Sequence, residues 1–186
     1  MLSLNKQTRR LSAQADLDAL TGLGNRNALL RTSEQIFENN NHESMPLACI
    51  MADVDFFKAY NDHYGHLQGD VILSSVGRVL RDYRAEGWQV FRYGGEEFLL
   101  LRPGADETDA RSTAEDILDS LRRHAIPHKA SPVNPFLTMS LGVASCDCGL
   151  SGDVNSLIRD ADEALYLAKE RGRACCVSFS EKEAGA

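Results

Sequence analysis

No stretch of this sequence is apolar for long enough to cross a membrane. The longest unbroken apolar run, Met45 to Ala52, is short and contains a proline, whereas a spanning helix needs about 20 apolar residues. The first residues, MLSLNKQTRRLSAQAD, lack a continuous apolar core. That argues against a secretory signal and for an exposed helical lead-in over residues 1–17. Positive charge is also short: 20 Lys and Arg against 27 Asp and Glu leave a formal charge of −7. DNA, RNA and anionic membrane are therefore not electrostatically favoured partners. A polyanionic ligand would need a few placed cations, or a metal. The cysteines are odd in number (Cys49, Cys146, Cys148, Cys175 and Cys176), and their spacings do not fit the usual C-x₂₋₄-C zinc knuckle. Reduced thiols and a cytoplasmic location are expected, although the parent protein could be membrane-anchored. Neither G-x-x-x-x-G-K-[ST] nor G-x-G-x-x-G occurs, which removes the usual nucleotide folds.

What is present suits one domain with a single core: 186 residues, 43% hydrophobic and 25% charged. A helix is expected from Asn25 to about Glu38. Leu47 to Val54 reads as a buried strand that stops at two aspartates. Ile72, Leu73, Val76, Val79, Leu80 and Tyr83 carry helical spacing over 70–83. Trp88–Arg92 and Phe98–Arg102 read as a hairpin around Gly94-Gly95, on the ground that glycine tolerates positive φ. Ala110 to Leu121 gives another helix, and Phe136 to Ala144 a strand. Val154 to Ala168 is a clean helical stripe with Asp153 as a plausible N-cap, and Val177 to Phe179 is a closing strand. The order α-β-α-α-β-β-α-β-α-β predicts an α/β sandwich around a mixed sheet.

Acids gather at the ends of two apolar strands: Asp53-Val54-Asp55, and Glu96-Glu97 after the glycines. If adjacent antiparallel strands bring them together, their repulsion implies a cation between them, and oxygen-only ligands select Mg²⁺. Lys58 to Asp70 is dense in groups able to read a base. Asn offers donor and acceptor together, and a carboxylate accepts the paired N–H groups that guanine presents and adenine does not. A plainer account makes Gly65 and Gly69 turns and Asp70 a helix cap, leaving Asn61 and His66 unassigned. Lys169 and Arg173, taken alone, are explained as partners of a helix dipole.

Together these motifs resemble the GGDEF family, the diguanylate cyclases. Arg92-Tyr93-Gly94-Gly95-Glu96-Glu97-Phe98 resembles its signature. Asp18 to Arg26 looks like its D-x-L-T-G-L-x-N-R, and Asp53 to Lys58 its D-x-D-x-F-K. Asn61 to Asp70, Thr138 to Ala144 and Tyr166 to Arg173 match three further motifs, so the likeness runs from about Asp18 to Val177. It implies a domain over 18–180 with a tail at 181–186, and a five-stranded mixed sheet surrounded by helices, like nucleotidyl cyclases and the polymerase palm. It implies condensation of two GTP into cyclic di-GMP and two pyrophosphates by a homodimer, usually under an N-terminal sensory domain.

Carried over residue by residue, Asp53, Glu96 and the Val54 carbonyl would hold two Mg²⁺ per site, with Mn²⁺ able to substitute. Asp55 would lie near the metals with a less defined role. Glu96 or Glu97 would take the hydroxyl proton, the choice between them staying open. Phe56 and Phe57 would cradle phosphate through their amides, and Lys58 would steady charge on the transferring phosphate. Lys169 and Arg173 would hold terminal phosphates, Asn61 and Asp70 would read guanine, and His66 would support the substrate site. The family's inhibitory product site is an R-x-x-D motif whose positions here are Ala85 and Trp88, so no such site is expected. A catalytically silent GTP-binding or dimerisation module is the alternative, though such members lose signature acids or glycines that are intact here.

Overall fold

The computed structural model describes residues 16–39, 45–147 and 154–184. The lead-in up to residue 15, Cys148 and Asp153 lie outside them. The elements are α1 (Arg26–Asn39), β1 (Pro46–Val54), α2 (Phe57–Tyr64), α3 (His66–Asp82), β2 (Gln89–Arg92), β3 (Glu97–Pro103), α4 (Glu107–His124), β4 (Met139–Asp147), α5 (Val154–Glu170), β5 (Cys176–Ser178) and α6 (Phe179–Ala184). One 3₁₀ turn, Tyr83–Glu86, joins α3 to β2.

The strands form one five-stranded sheet in the order β2-β3-β1-β4-β5. Neighbours are antiparallel except for β4 and β5, which run parallel. The expected mixed sheet is therefore present. β1 lies at its centre and is buried at every position after Pro46, which is why it reads as a continuous apolar run. Alternation splits its side chains between two cores. Ala48, Ile50, Ala52 and Val54 join Ile72 and Val76 of α3 and Ile117 and Leu121 of α4. Leu47, Cys49 and Met51 join Leu29 of α1 and Leu157, Ala161 and Leu165 of α5.

Several boundaries differ from expectation, each for a local reason. α3 starts at His66 rather than Asp70, because Gly65 at φ 87° separates it from α2. Asp70 is thus inside the helix and does not cap it. β4 begins at Met139, and Phe136 instead bridges Pro127. The Gly94-Gly95 turn is a hairpin, but neither glycine has positive φ; a Cβ on Gly94 would meet the Glu97 carboxylate at 2.6 Å. At α4, Asp106 caps the start through a capping box with Asp109, accepting from its N–H at 2.9 Å. The segment expected as a tail enters α6, where Glu181 accepts from Arg171 at 2.6 Å and pairs with Arg111.

Candidate active site

The end of β1 collects the acids. In the β1–β3 ladder Asp53 stands directly opposite Glu97, and the Val54 N–H donates to the Glu96 carbonyl at 3.2 Å. Like charges facing across a ladder repel. Asp53 is only 8% exposed. Burial pushes its carboxyl up to about 6 and the charges of Glu96 and Glu97 push the same way, while Lys169 opposes them. Lys169, at the last turn of α5, places Nζ 3.0 Å from Asp53 Oδ2, so the strand end already holds one cation.

The donor set fits magnesium. Asp53, Glu96 and Glu97 at this strand end offer oxygen donors only. Mg²⁺ typically takes one or two carboxylates and completes its shell with water and substrate phosphate.

Asp55 behaves differently from Asp53, two residues away. Its oxygens accept from Thr138 Oγ1 and Ser140 Oγ, each at 2.7 Å, and from the Ala174 N–H at 3.1 Å. At 1% exposure it ties the end of β1 to β4 and to the segment that follows α5. The next residue, Phe56, sits in the left-handed region at φ 54° and ψ 32°, a conformation costing a non-glycine residue about 1–2 kcal/mol. Arg173 lies over its ring, 4.5 Å from the centroid. Phe56 precedes α2, so the amides at the start of that helix are the ones without intrahelical partners.

α2 and α3 shape the second half of the site. Asn61 packs against the buried Gly69: a Cβ there would lie 1.9 Å from Asn61 Oδ1. That oxygen is buried and makes no hydrogen bond within the chain. Asp70, beside Gly69, is exposed and lines a groove with Leu20 and Val71. Lys58 and His66 are also exposed. The structure therefore pairs Lys169 with Asp53, brings Glu96 and Glu97 to the same strand end, sets Asn61 against the segment carrying Asp70, and leaves Lys58 and His66 on the open surface. If Asn61 reads guanine as the family resemblance implies, Gly69→Ala, which would displace its carboxamide and crowd the Phe57 ring at 3.1 Å, should weaken guanine-nucleotide binding at least about tenfold. Unchanged affinity in an equilibrium titration would remove Asn61 from the base-reading role.

Sequence reasoning gave no role to the clamp behind the hairpin. Arg92 donates through Nε and Nη2 to the Gly95 carbonyl at 3.1 and 2.7 Å, and through Nη1 to both oxygens of Asp18 at 3.2 and 3.1 Å. Asp18 also accepts from the Thr21 N–H and Oγ1 at 2.8 and 2.7 Å. Both residues stand inside quoted motifs, but 74 positions apart, which no local spacing connects. Burial raises the Asp18 carboxyl, yet the bonds from Thr21 and Arg92 outweigh it and hold the group below 3.8. A depressed acid stabilises the fold above its unfolded value, and that stability fades as pH falls through the folded one. The melting-temperature gap between wild type and Asp18→Asn should therefore be full at about pH 6 and shrink below 3.8. A constant gap down to about pH 2 would count against the clamp.

At the two positions of the family's inhibitory motif, Ala85 lies in the 3₁₀ turn and Trp88 is buried at 2% exposure, with the Arg102 guanidinium 5.9 Å from its ring centroid. Neither offers an exposed charge.

A sheet with helices on both faces and acids at its central strand end defines a palm-like nucleotidyl cyclase fold. The chain belongs to the GGDEF domain family of diguanylate cyclases, whose model matches residues 15–175. The diguanylate cyclase DgcZ of Escherichia coli K12 is 33% identical over 174 residues, covering 92% of this chain and 56% of that protein. VdcA of Vibrio cholerae is 36% identical over 172 residues, covering 91% and 49%. The chain thus spans about half the length of these curated relatives. The coiled coil and GGDEF domain of DgcB from Caulobacter crescentus, solved with c-di-GMP, superimposes with a TM-score of 0.82 at 26% identity, covering 95% of this chain and 92% of that one. SiaD of Pseudomonas aeruginosa, solved with its activator SiaC, gives 0.81 at 33% identity, covering 95% and 66%. Among the described residues no helix is long and apolar enough to cross a membrane.

Proposed function

We propose that this domain condenses two GTP molecules into cyclic di-GMP and two pyrophosphates, with each of two copies presenting one GTP to the other. The observation that supports it most is the pairing of Asp53 with Glu97, beside Glu96, at the end of a buried central strand. In each half-reaction the 3′-hydroxyl of one GTP attacks the α-phosphorus of the other. A new P–O bond forms, the bond to the β-phosphate breaks, and pyrophosphate leaves. Glu96 or Glu97 takes the hydroxyl proton. Mg²⁺ held by Asp53, Glu96 and the Val54 carbonyl, or Mn²⁺ in its place, would neutralise phosphate charge and acidify the attacking hydroxyl.

The remaining roles are those that the family resemblance implies for these residues. Asn61 and Asp70 bind guanine, with His66 at the rim, and the amides of Phe56 and Phe57 receive phosphate oxygens. Lys58 stabilises charge that develops on the transferring phosphate. Lys169 and Arg173 bind the terminal phosphates, so Lys169 exchanges Asp53 for substrate. Asp55 acts as the buried tie of the turn rather than as a ligand. Facing two substrates in this way needs a two-fold arrangement. The greater length of the relatives supports a further regulatory module in the parent polypeptide, in the cytoplasm where GTP is found. Rate per molecule should rise with protein concentration as dimers form. A rate per molecule that stays constant on dilution to nanomolar protein would contradict the two-copy reaction.

Ala85 and Trp88 leave the product no charged anchor at the family's inhibitory position. Added cyclic di-GMP should therefore leave the initial rate nearly unchanged. Half-inhibition at low micromolar product would overturn this expectation.

A further inference from the structure

His128 lies between α4 and β4 and has no exposed surface. Its Nε2 is 3.2 Å from the Phe56 carbonyl oxygen. Nδ1 is buried without a partner. A carbonyl oxygen only accepts, so Nε2 carries the hydrogen and donates. A second hydrogen on Nδ1 would leave a buried, charged N–H unpaired, so the ring is neutral. Burial shifts the imidazole in the same direction, below its ordinary range.

The imidazole is itself fixed in place. Tyr60 meets it edge to face at 5.1 Å, and the Tyr64 ring lies tilted against Tyr60 with centroids 4.5 Å apart. Tyr64 Oη accepts the Lys129 N–H at 3.0 Å, and the His128 N–H donates to the Pro135 carbonyl at 2.8 Å. The group it reaches is the strained one. Phe56 is left-handed, and its carbonyl also accepts the Tyr60 N–H at 3.0 Å to open α2. A residue held in such a conformation persists when its surroundings over-determine it. Here Arg173 covers the Phe56 ring and His128 holds its carbonyl.

We propose that His128 is a positioning residue for the substrate triphosphate: by donating to the Phe56 carbonyl it fixes the left-handed turn and aims the free amides at the start of α2 at the phosphates. This rests on the reading of the site as one that binds GTP. It assigns a reaction-related task to a residue that touches neither substrate nor metal, and it accounts for a buried histidine with one ring nitrogen unused.

The test compares His128→Leu, which fills the space without a donor, with His128→Gln, whose amide N–H reaches a similar point. GTP and guanosine affinities are measured by equilibrium titration, and exchange of the Phe56 and Phe57 amides is followed by NMR. In the leucine variant GTP affinity should fall about tenfold, the size of one hydrogen bond's contribution, while guanosine affinity stays within about twofold. Its KM for GTP should rise, the amides should exchange faster, and glutamine should restore most of both. If leucine prevents folding, His128→Asn, whose amide is too short to reach Phe56, takes its place beside glutamine. A GTP-to-guanosine affinity ratio equal to wild type, or equal loss of both ligands, overturns the proposal. Wild type that binds no GTP, with amide exchange still accelerated in the leucine variant, would remove the substrate reading and leave the clamp on the turn intact.

Discussion

Asp53→Asn is expected to lower turnover by about 10³-fold or more, with a melting temperature in metal-free buffer equal to or above that of wild type. The two halves of this result have one cause. Asp53 is nearly buried, faces Glu97 and lies near Glu96, and burial with those neighbours pushes its carboxyl up to about 6. The folded chain therefore works against its own charge at that point. The neutral amide relieves the repulsion, and Lys169, whose side chain is 30% exposed, loses only a partner that water can replace. The amide also removes the charged oxygen that the proposed divalent cation would need. Thermal unfolding and initial rates on the same preparation test both halves. A variant that keeps a tenth of its activity, or that melts several degrees lower, would mean that Asp53 serves the fold more than the chemistry.

Gly142→Ala is expected to be the most destabilising single-methyl change in the sheet. A Cβ at Gly142 would lie 2.1 Å from the Leu165 nitrogen, 2.2 Å from the Ala161 carbonyl oxygen and 2.7 Å from the Ala164 carbonyl carbon. All three are backbone atoms of α5, so no rotamer change makes room. The helix would have to lift off β4, opening the contacts of Leu157, Ala161 and Leu165 with the β1 face that carries Cys49 and Met51. A cost of about 3 kcal/mol or more follows, or about 6–12 °C in melting temperature for a chain of this size. Because α5 also carries Lys169, activity measured well below the melting point should fall as well. A melting temperature within about 1 °C of wild type would show that α5 is less closely seated than the backbone contacts require.

The parts of the fold that were legible are those governed by short-range pattern. β1 announced itself by an apolar run ending in acids, because a strand covered on both faces has no polar side to display. α5 and α4 were legible from spacing alone. The start of α3 was not, because Asp70 is a good capping residue by type and only the positive φ of Gly65 shows that the helix is already under way. The hairpin was placed correctly for a partly wrong reason, since Gly94 is needed to clear the Glu97 carboxylate rather than to supply positive φ. Asp53 and Asp55 look equivalent in sequence. What separates them is the pair Thr138 and Ser140, just before and inside β4, whose hydroxyls both donate to Asp55. The Asp18–Arg92–Gly95 clamp and the His128–Phe56 contact join segments 74 and 72 residues apart, and no local pattern encodes such partners.

The most direct measurement is to incubate concentrated protein with GTP and Mg²⁺ and to separate the nucleotides formed. An ATP-only reaction and the Asp53→Asn variant run alongside. The proposed function predicts cyclic di-GMP and pyrophosphate from wild type with GTP, and neither from ATP or from the variant. GTP that stays bound and intact at high protein concentration would contradict it, and would make the domain a nucleotide receptor rather than a cyclase.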